Sequence, residues 1–220
     1  MLGNAAHHLG NVLRAQPGQF YELSDGQRVC LGRVERVLRD RVEFALVEEI
    51  PGYQPRVDVT LLLAVVKFDA FEWAIEKATE LGVSTIVPLA AARSEKAQLA
   101  AGKRADRWRK LLVEASEQSR RVRVPALEDA ARPAEAFPRQ SAAMKILLSE
   151  RPLAPALRKV LSGTPPSAAL AIGPEGGWTE EEFAVAHRAG FQEASLGQLI
   201  LRTETAVIAA LASLNYALGD

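Results

Sequence analysis

The chain has 220 residues, 27 Lys and Arg against 27 Asp and Glu, and an apolar fraction of 48%. That length makes one large domain or two small ones, and the composition is that of a globular chain rather than a disordered one. Zero net charge excludes a uniformly basic nucleic-acid coat and an acidic tail protein, though it says nothing about local patches.

The first 58 residues read as short strands. Gln19–Leu23, Gln27–Val34 and Arg41–Val47 alternate apolar with polar side chains, and Pro17-Gly18, Asp25-Gly26 and Asp40 separate them. Their spacing predicts a small antiparallel barrel or sandwich. From Leu61 the pattern changes. Leu61–Val66 is a continuous apolar run, as in a strand buried on both faces. Asp69 with Glu72 resembles a capping box ahead of a helix to Leu81, and Gly82 stands where a left-handed C′ residue belongs.

Strands at Val83–Pro88, Lys145–Leu148, Ala168–Ile172 and Ala194–Leu196 then alternate with helices at Ala105–Ser119, Pro152–Leu161, Thr179–Ala189 and Thr203–Leu218. Thr179 and Glu182 form a second capping-box pattern, and Asp129–Gln140 reads as a loose connector. Strand–helix–strand alternation predicts a parallel α/β sheet with right-handed crossovers, so the expected domains are 1–58 and 59–220.

Charge counted by segment is uneven. Residues 93–123 hold 10 basic and 4 acidic groups, a net +6, while the flanks are acidic. This stretch is the candidate surface for a polyanion, because each Lys or Arg that meets a phosphate releases a counterion. A solvated helix face paired with acids elsewhere would carry the same charges.

Familiar catalytic sets are absent. No G-x-G-x-x-G, Walker A or G-x-S-x-G sequence occurs. His7, His8 and His187 lack the spacing of a metal motif, and Cys30, the only cysteine, can form neither an internal disulfide nor a cysteine zinc site; no metal is expected. His7 and His8 are expected to pack in the barrel, and Trp108 and Trp178 to anchor the core. The start lacks the pattern of a signal peptide, and the apolar runs fall short of the roughly 20 residues that span a bilayer. A cytoplasmic protein with no membrane partner is therefore expected.

Chemistry gathers after the last two strands. Ile172-Gly173-Pro174-Glu175-Gly176-Gly177-Trp178 places three glycines between a buried strand and a capped helix, which allows close backbone approach to a ligand. Leu196-Gly197-Gln198-Leu199-Ile200-Leu201-Arg202-Thr203-Glu204-Thr205-Ala206 runs an apolar loop directly into a charged helix start.

Taken together, these segments resemble the RsmE family, SPOUT-class methyltransferases that act on N3 of a uridine in small-subunit (16S) ribosomal RNA. The likeness spans nearly the whole chain: His7-His8-Leu9, Val12-Leu13-Arg14 and Pro17-Gly18; Lys77–Val83; Pro88 and Arg93-Ser94; Trp108, Glu114-Ala115, Glu117-Gln118-Ser119, Arg121 and Pro125; Gly173–Gly177; and Leu196–Ala206. Leu199 stands where the family carries Arg. Family members also carry a further strand ahead of the His pair, so the barrel is expected to lack its first strand.

The resemblance implies a PUA-like β-barrel followed by a SPOUT α/β domain with a deep trefoil knot, assembled as a homodimer. It implies S-adenosyl-L-methionine held by Leu148, Ser149 and Glu150, by Ile172, Gly173, Pro174, Glu175, Gly176 and Gly177, and by Leu196, Gly197, Ile200, Leu201, Thr203 and Thr205. Uridine N3 must lose its proton to be methylated. Arg202 is the candidate to stabilise the resulting charge and Glu175 to orient the loop or act as base, with Glu204 less favoured. Arg14, Arg93, Gln118, Arg121 and Arg123 are the candidate RNA contacts. The alternatives are a SPOUT methyltransferase for another RNA, such as a transfer RNA, and a non-catalytic RNA-binding assembly protein of the same fold.

Overall fold

The computed structural model describes the backbone of residues 1–52 and 55–218, and the side chains of all of these except residues 4 and 95–102. The chain divides into two compact units. One holds Met1–Gln54 with Arg121–Arg123, and the other holds Pro55–Arg120 and Val124–Asp220.

The first unit is a three-stranded antiparallel sheet, β1 (Phe20–Ser24), β2 (Val29–Val37) and β3 (Val42–Ile50), in that order. Register shifts at Leu31/Gly32 and Val34/Arg36 bend the central strand. A short helix, α1 (Gly3–His7), and a π-helical turn over His8–Val12 precede it. Ala6, Leu9, Ala15, Val34 and Val42 form its small core. His7 and His8 are exposed rather than packed in that core, because it is Ala6 and Leu9 of the same turns that face inward.

The second unit is a parallel sheet of six strands in the order β6-β5-β4-β8-β7-β9. These are β4 (Asp58–Ala64), β5 (Thr85–Leu89), β6 (Ala126–Leu127), β7 (Met144–Leu148), β8 (Ser167–Ile172) and β9 (Gln192–Ala194). The helices are α2 (Phe68–Glu80), α3 (Glu95–Gln118), α4 (Pro133–Ala136), α5 (Leu157–Val160), α6 (Glu180–Arg188) and α7 (Thr203–Leu218). Successive strand residues face opposite layers. Leu61, Leu63 and Leu170 pack with Phe71, Trp108 and Leu211, whereas Leu62, Ala169 and Ala171 pack with Phe137, Trp178 and Phe191. Burial on both faces explains why the central strands read as unbroken apolar runs. Among the described residues, no helix is long and apolar enough to cross a membrane.

Three local expectations are corrected. Lys67, not Asp69, stands at the N-cap of α2, and the Glu72 carboxylate turns away from the helix start to meet Arg104 and Arg107. The helix expected over 152–161 shrinks to Leu157–Val160. Ala156 stands at its N-cap, and the backbone of Pro155 and Leu157 pairs with Ser195 instead: Ser195 N donates to Pro155 O and Leu157 N to Ser195 O, both at 2.8 Å. The connector at 129–140 is ordered, with Ala131 bridged to Leu89 and Phe137 fully buried. The capping box at Thr179 and Glu182 does form, and Gly82 has φ +93°.

Candidate active site

Parallel strands all end on one edge of the sheet, so the loops that follow them converge there. The loops after β7, β8 and β9 are stitched together by specific bonds. Ser149 N donates to Ala194 O at 2.9 Å, Trp178 Nε1 to Leu148 O at 3.0 Å, and Thr203 Oγ1 to Gly173 O at 3.1 Å. Each bond joins segments at least 30 residues apart in sequence, which rigidifies the rim of a cavity of about 460 Å³. That volume lies in the usual range of small-molecule clefts, roughly 300–1,000 Å³.

Thirteen of the fifteen residues expected at a cofactor line this cavity. Leu148, Ser149 and Glu150 form one side, Ile172, Gly173, Pro174, Gly176 and Gly177 the base, and Leu196, Gly197, Ile200, Leu201 and Thr203 the other side. Glu175 is exposed and lines an adjoining cavity instead. Thr205 is exposed on α7. One residue turns a helix by about 100°, so with Thr203 bonded inward to Gly173, Thr205 points roughly the opposite way. Arg202 is exposed immediately before α7 and lines neither cavity.

Sequence reasoning missed several lining groups. Trp178 is 5% exposed and is a core anchor as expected, but its indole also walls the cavity and ties Leu148 to the glycine loop. Arg151 lines the mouth, its guanidinium 3.6 Å over the Phe183 ring and paired with Glu180. Its place directly after Leu148-Ser149-Glu150 was the only signal. Glu182 does more than cap α6: its Oε2 accepts from Thr179 N and its Oε1 accepts from Ala92 N, both at 2.8 Å. It therefore anchors the loop after β5 that carries Arg93.

The candidate RNA contacts divide between the units. Arg14, Arg121 and Arg123 belong to the first. Arg14 is exposed at φ +51°, and Arg123 Nε donates to Gly26 O at 2.8 Å. Arg93 and Gln118, both exposed, belong to the second. Arg93 lies against the glycine loop, its Nη1 donating to Gly176 O. Among the described residues, no group of three or more His, Cys, Asp or Glu side chains is placed to share a metal ion.

Residues 53–215 match the RNA methyltransferase domain family. Over 97% of its length the chain is 32% identical to a ribosomal RNA small subunit methyltransferase E from Bacillus subtilis, covering 88% of that protein. The chain belongs to the RsmE family. Solved structures agree. The fold matches that of a family member from Neisseria gonorrhoeae bound to S-adenosyl methionine, with a TM-score of 0.89 and 33% identity over 98% of this chain and 90% of that one. It also matches a methyltransferase from Legionella pneumophila in complex with the same cofactor, with a TM-score of 0.87 and 30% identity over 97% and 89%. The segments that carry the family likeness, Gly173–Gly177 and Leu196–Ala206, are the ones that supply two of the three cavity walls.

Proposed function

We propose that this chain is an S-adenosylmethionine-dependent methyltransferase that methylates N3 of a uridine in small-subunit ribosomal RNA. One observation carries the reading. The loops after β7, β8 and β9 meet around a cavity sized for a nucleoside, in a chain whose fold matches that of a relative bound to S-adenosyl methionine.

The lining suits the cofactor. Ile172, Leu196 and Leu201 offer apolar contact to a purine face, and the backbone of the 196–201 loop offers donors and acceptors to its edge. Glu150 and Glu180 suit ribose hydroxyls and an ammonium, and Arg151 suits a carboxylate. When bound, S-adenosylmethionine supplies the electrophilic methyl group. The protein supplies position and charge. Uridine N3 holds a proton that titrates at about pH 9–10, near a phenol, and so must lose it to react at neutral pH. Glu175 takes that proton, and Arg202 stabilises the negative charge left on the uracil. Arg14, Arg93, Gln118, Arg121 and Arg123 hold the RNA, which presents the target base flipped out of its stack.

The finer architecture follows the same reading. The first unit is a PUA-like barrel used for RNA binding. The segment from Ser195 to Thr203 threads beneath the loop after β7 to form the trefoil knot, a reading supported by the Pro155–Leu157 pairing with Ser195. The enzyme works in the cytoplasm as a homodimer. In support, Leu199, Ile200 and Tyr216 are 82%, 78% and 95% exposed, and α7 is mostly apolar.

The test is transfer of labelled methyl from S-adenosylmethionine to small-subunit RNA, mapped by reverse transcription. A methyl at N3 blocks Watson–Crick pairing and stops the polymerase. A stop that persists in RNA from a strain lacking the gene refutes the assignment. Arg202→Ala is expected to lower turnover far more than cofactor affinity measured by calorimetry, and an unchanged rate would remove Arg202 from the mechanism.

A further inference from the structure

Beside the cofactor cavity lies a second one of about 570 Å³, at the carboxyl ends of β4, β5 and β8. From β4 the chain adds β5 and β6 on one side, then crosses over to place β7, β8 and β9 on the other, with β8 beside β4. Such a reversal point is where open α/β sheets bind ligands. Val65 and Val66 run off β4 into this cavity, Lys67 and Phe68 open α2 beside it, and Ser94 and Glu175 complete its rim.

Arg93, Pro174 and Gly176 line both cavities. The wall between them is therefore one arginine and two loop residues. Arg93 is held in that wall at two levels. Its own Nη1 donates to Gly176 O at 2.5 Å, and the loop beneath it is fixed by the bond from Ala92 N to buried Glu182. A guanidinium has five N–H donors, so the bond to Gly176 leaves others for a ligand.

The aromatic side is also braced. Arg104 sits 4.1 Å over the Phe68 ring, and Arg104 is bonded at 2.9 Å to the Glu72 carboxylate, which is 5% exposed and also bonded by Arg107. A buried carboxylate that clamps two arginines thus braces one half-buried phenyl ring at a cavity wall. A rigid aromatic ring, an apolar floor and a cation at the rim are what recognises an unstacked nucleobase.

We infer that the second cavity receives the flipped-out uracil, that Arg93 is a catalytic residue acting from the shared wall, and that Lys67 holds the phosphate of the target nucleotide. This rests on the reading that the enzyme methylates a uridine. Charge developing at N3 is shared by both neighbouring carbonyl oxygens, and Arg93 is the cation of this cavity's wall placed to meet one of them.

The test uses the full chain, calorimetry with S-adenosylmethionine, and the pH dependence of methyl transfer to small-subunit RNA. Removing one preorganised donor to a developing anion typically costs ~100-fold or more, so Arg93→Ala should lower kcat by about that factor at neutral pH. The rising limb of its pH profile should move upward by about one unit, because deprotonation of N3 is no longer assisted. Arg93→Lys should recover part of the loss. Lys67→Glu should raise KM for RNA by roughly tenfold with kcat nearly kept. Cofactor affinity should stay within about fivefold throughout. A loss of rate that is equal at every pH, a cofactor affinity that falls in step with rate, or an unchanged KM for Lys67→Glu would overturn the inference alone. A native enzyme that binds the cofactor yet leaves uridine N3 unmethylated would overturn both this inference and the reading beneath it.

Discussion

Gly173→Ala probes how tightly the cofactor loop is built. A Cβ at this position would stand 2.9 Å from Trp178 Cε2, 3.1 Å from Nε1 and 3.3 Å from Cδ2. The indole has little room to retreat. It is 5% exposed, packs edge-on to Phe137 with ring centroids 5.7 Å apart, and is pinned by its bond to Leu148 O. Overpacking of this kind costs about 1–3 kcal/mol. If the ring swings far enough to break the Leu148 bond, an orphaned buried donor adds about 1–3 kcal/mol more. With both effects the expected total is about 2–6 kcal/mol, or a fall in Tm of roughly 5–25 °C for a unit of this size. Trp73, Trp108 and Trp178, the three tryptophans of the chain, all lie in the second unit, so their fluorescence reads this unit. Cofactor affinity should fall with stability, since Gly173 and Trp178 both line the cavity. Adding Trp178→Phe removes the atoms that the new methyl strikes, so the double variant should lose at least ~1 kcal/mol less than the sum of the singles. A Gly173→Ala protein that melts within about 1 °C of the native chain, or strictly additive losses, would refute the packing described here.

Two further outcomes follow from the same geometry. Thr179→Ala removes one capping bond and should cost about 1 kcal/mol in urea unfolding, whereas Glu182→Ala also frees Ala92 and should cost about 1–2 kcal/mol more. Equal costs would mean that the bond across to Ala92 contributes nothing. For Glu72, burial pushes the carboxyl up, but hydrogen bonds from Arg107 and Arg104 outweigh it and hold the group below the usual carboxylate range. A carboxyl whose pKa is depressed by folding stabilises the protein above its unfolded value, about 4.3, and that contribution disappears as pH falls through the folded value. Glu72→Gln should therefore be less stable than the native chain at pH 7 by about 1–3 kcal/mol, the low side for a buried pair because Arg104 and Arg107 are 37% and 67% exposed. The gap should close in acid. A gap that stays constant from neutral pH to about pH 3 would show that the ion pairs are not its source.

Much of the fold is legible in the chain. Leu61–Leu63 are all fully buried because a central parallel strand has helices on both faces, and three successive leucines signal that directly. Gly82, Gly190 and the Thr179–Glu182 box punctuate helices through local backbone chemistry, which needs no distant partner. The cavity loops are legible for a related reason. Thirteen of the fifteen expected residues meet because each lies at a strand end or in the segment that leaves it, and the parallel sheet brings those ends together.

What the chain alone did not disclose depends on partners far away in sequence. Glu72 has the spacing of a helix cap, yet two arginines more than 30 residues away outcompete the helix start for its carboxylate. The 152–156 segment reads as the start of a helix, yet Pro155 is a poor helix residue and Ser195 claims the adjoining backbone as a bridge. Glu182 reads as a cap and is one, but its second oxygen reaches Ala92, 90 residues away, and so sets the arginine between the two cavities. Burial pattern, caps and turns are encoded by neighbours a few residues apart, and the sequence determined them. A polar side chain with several possible partners chooses among them only when the chain has brought those partners within about 3 Å, and tertiary structure alone decided that choice.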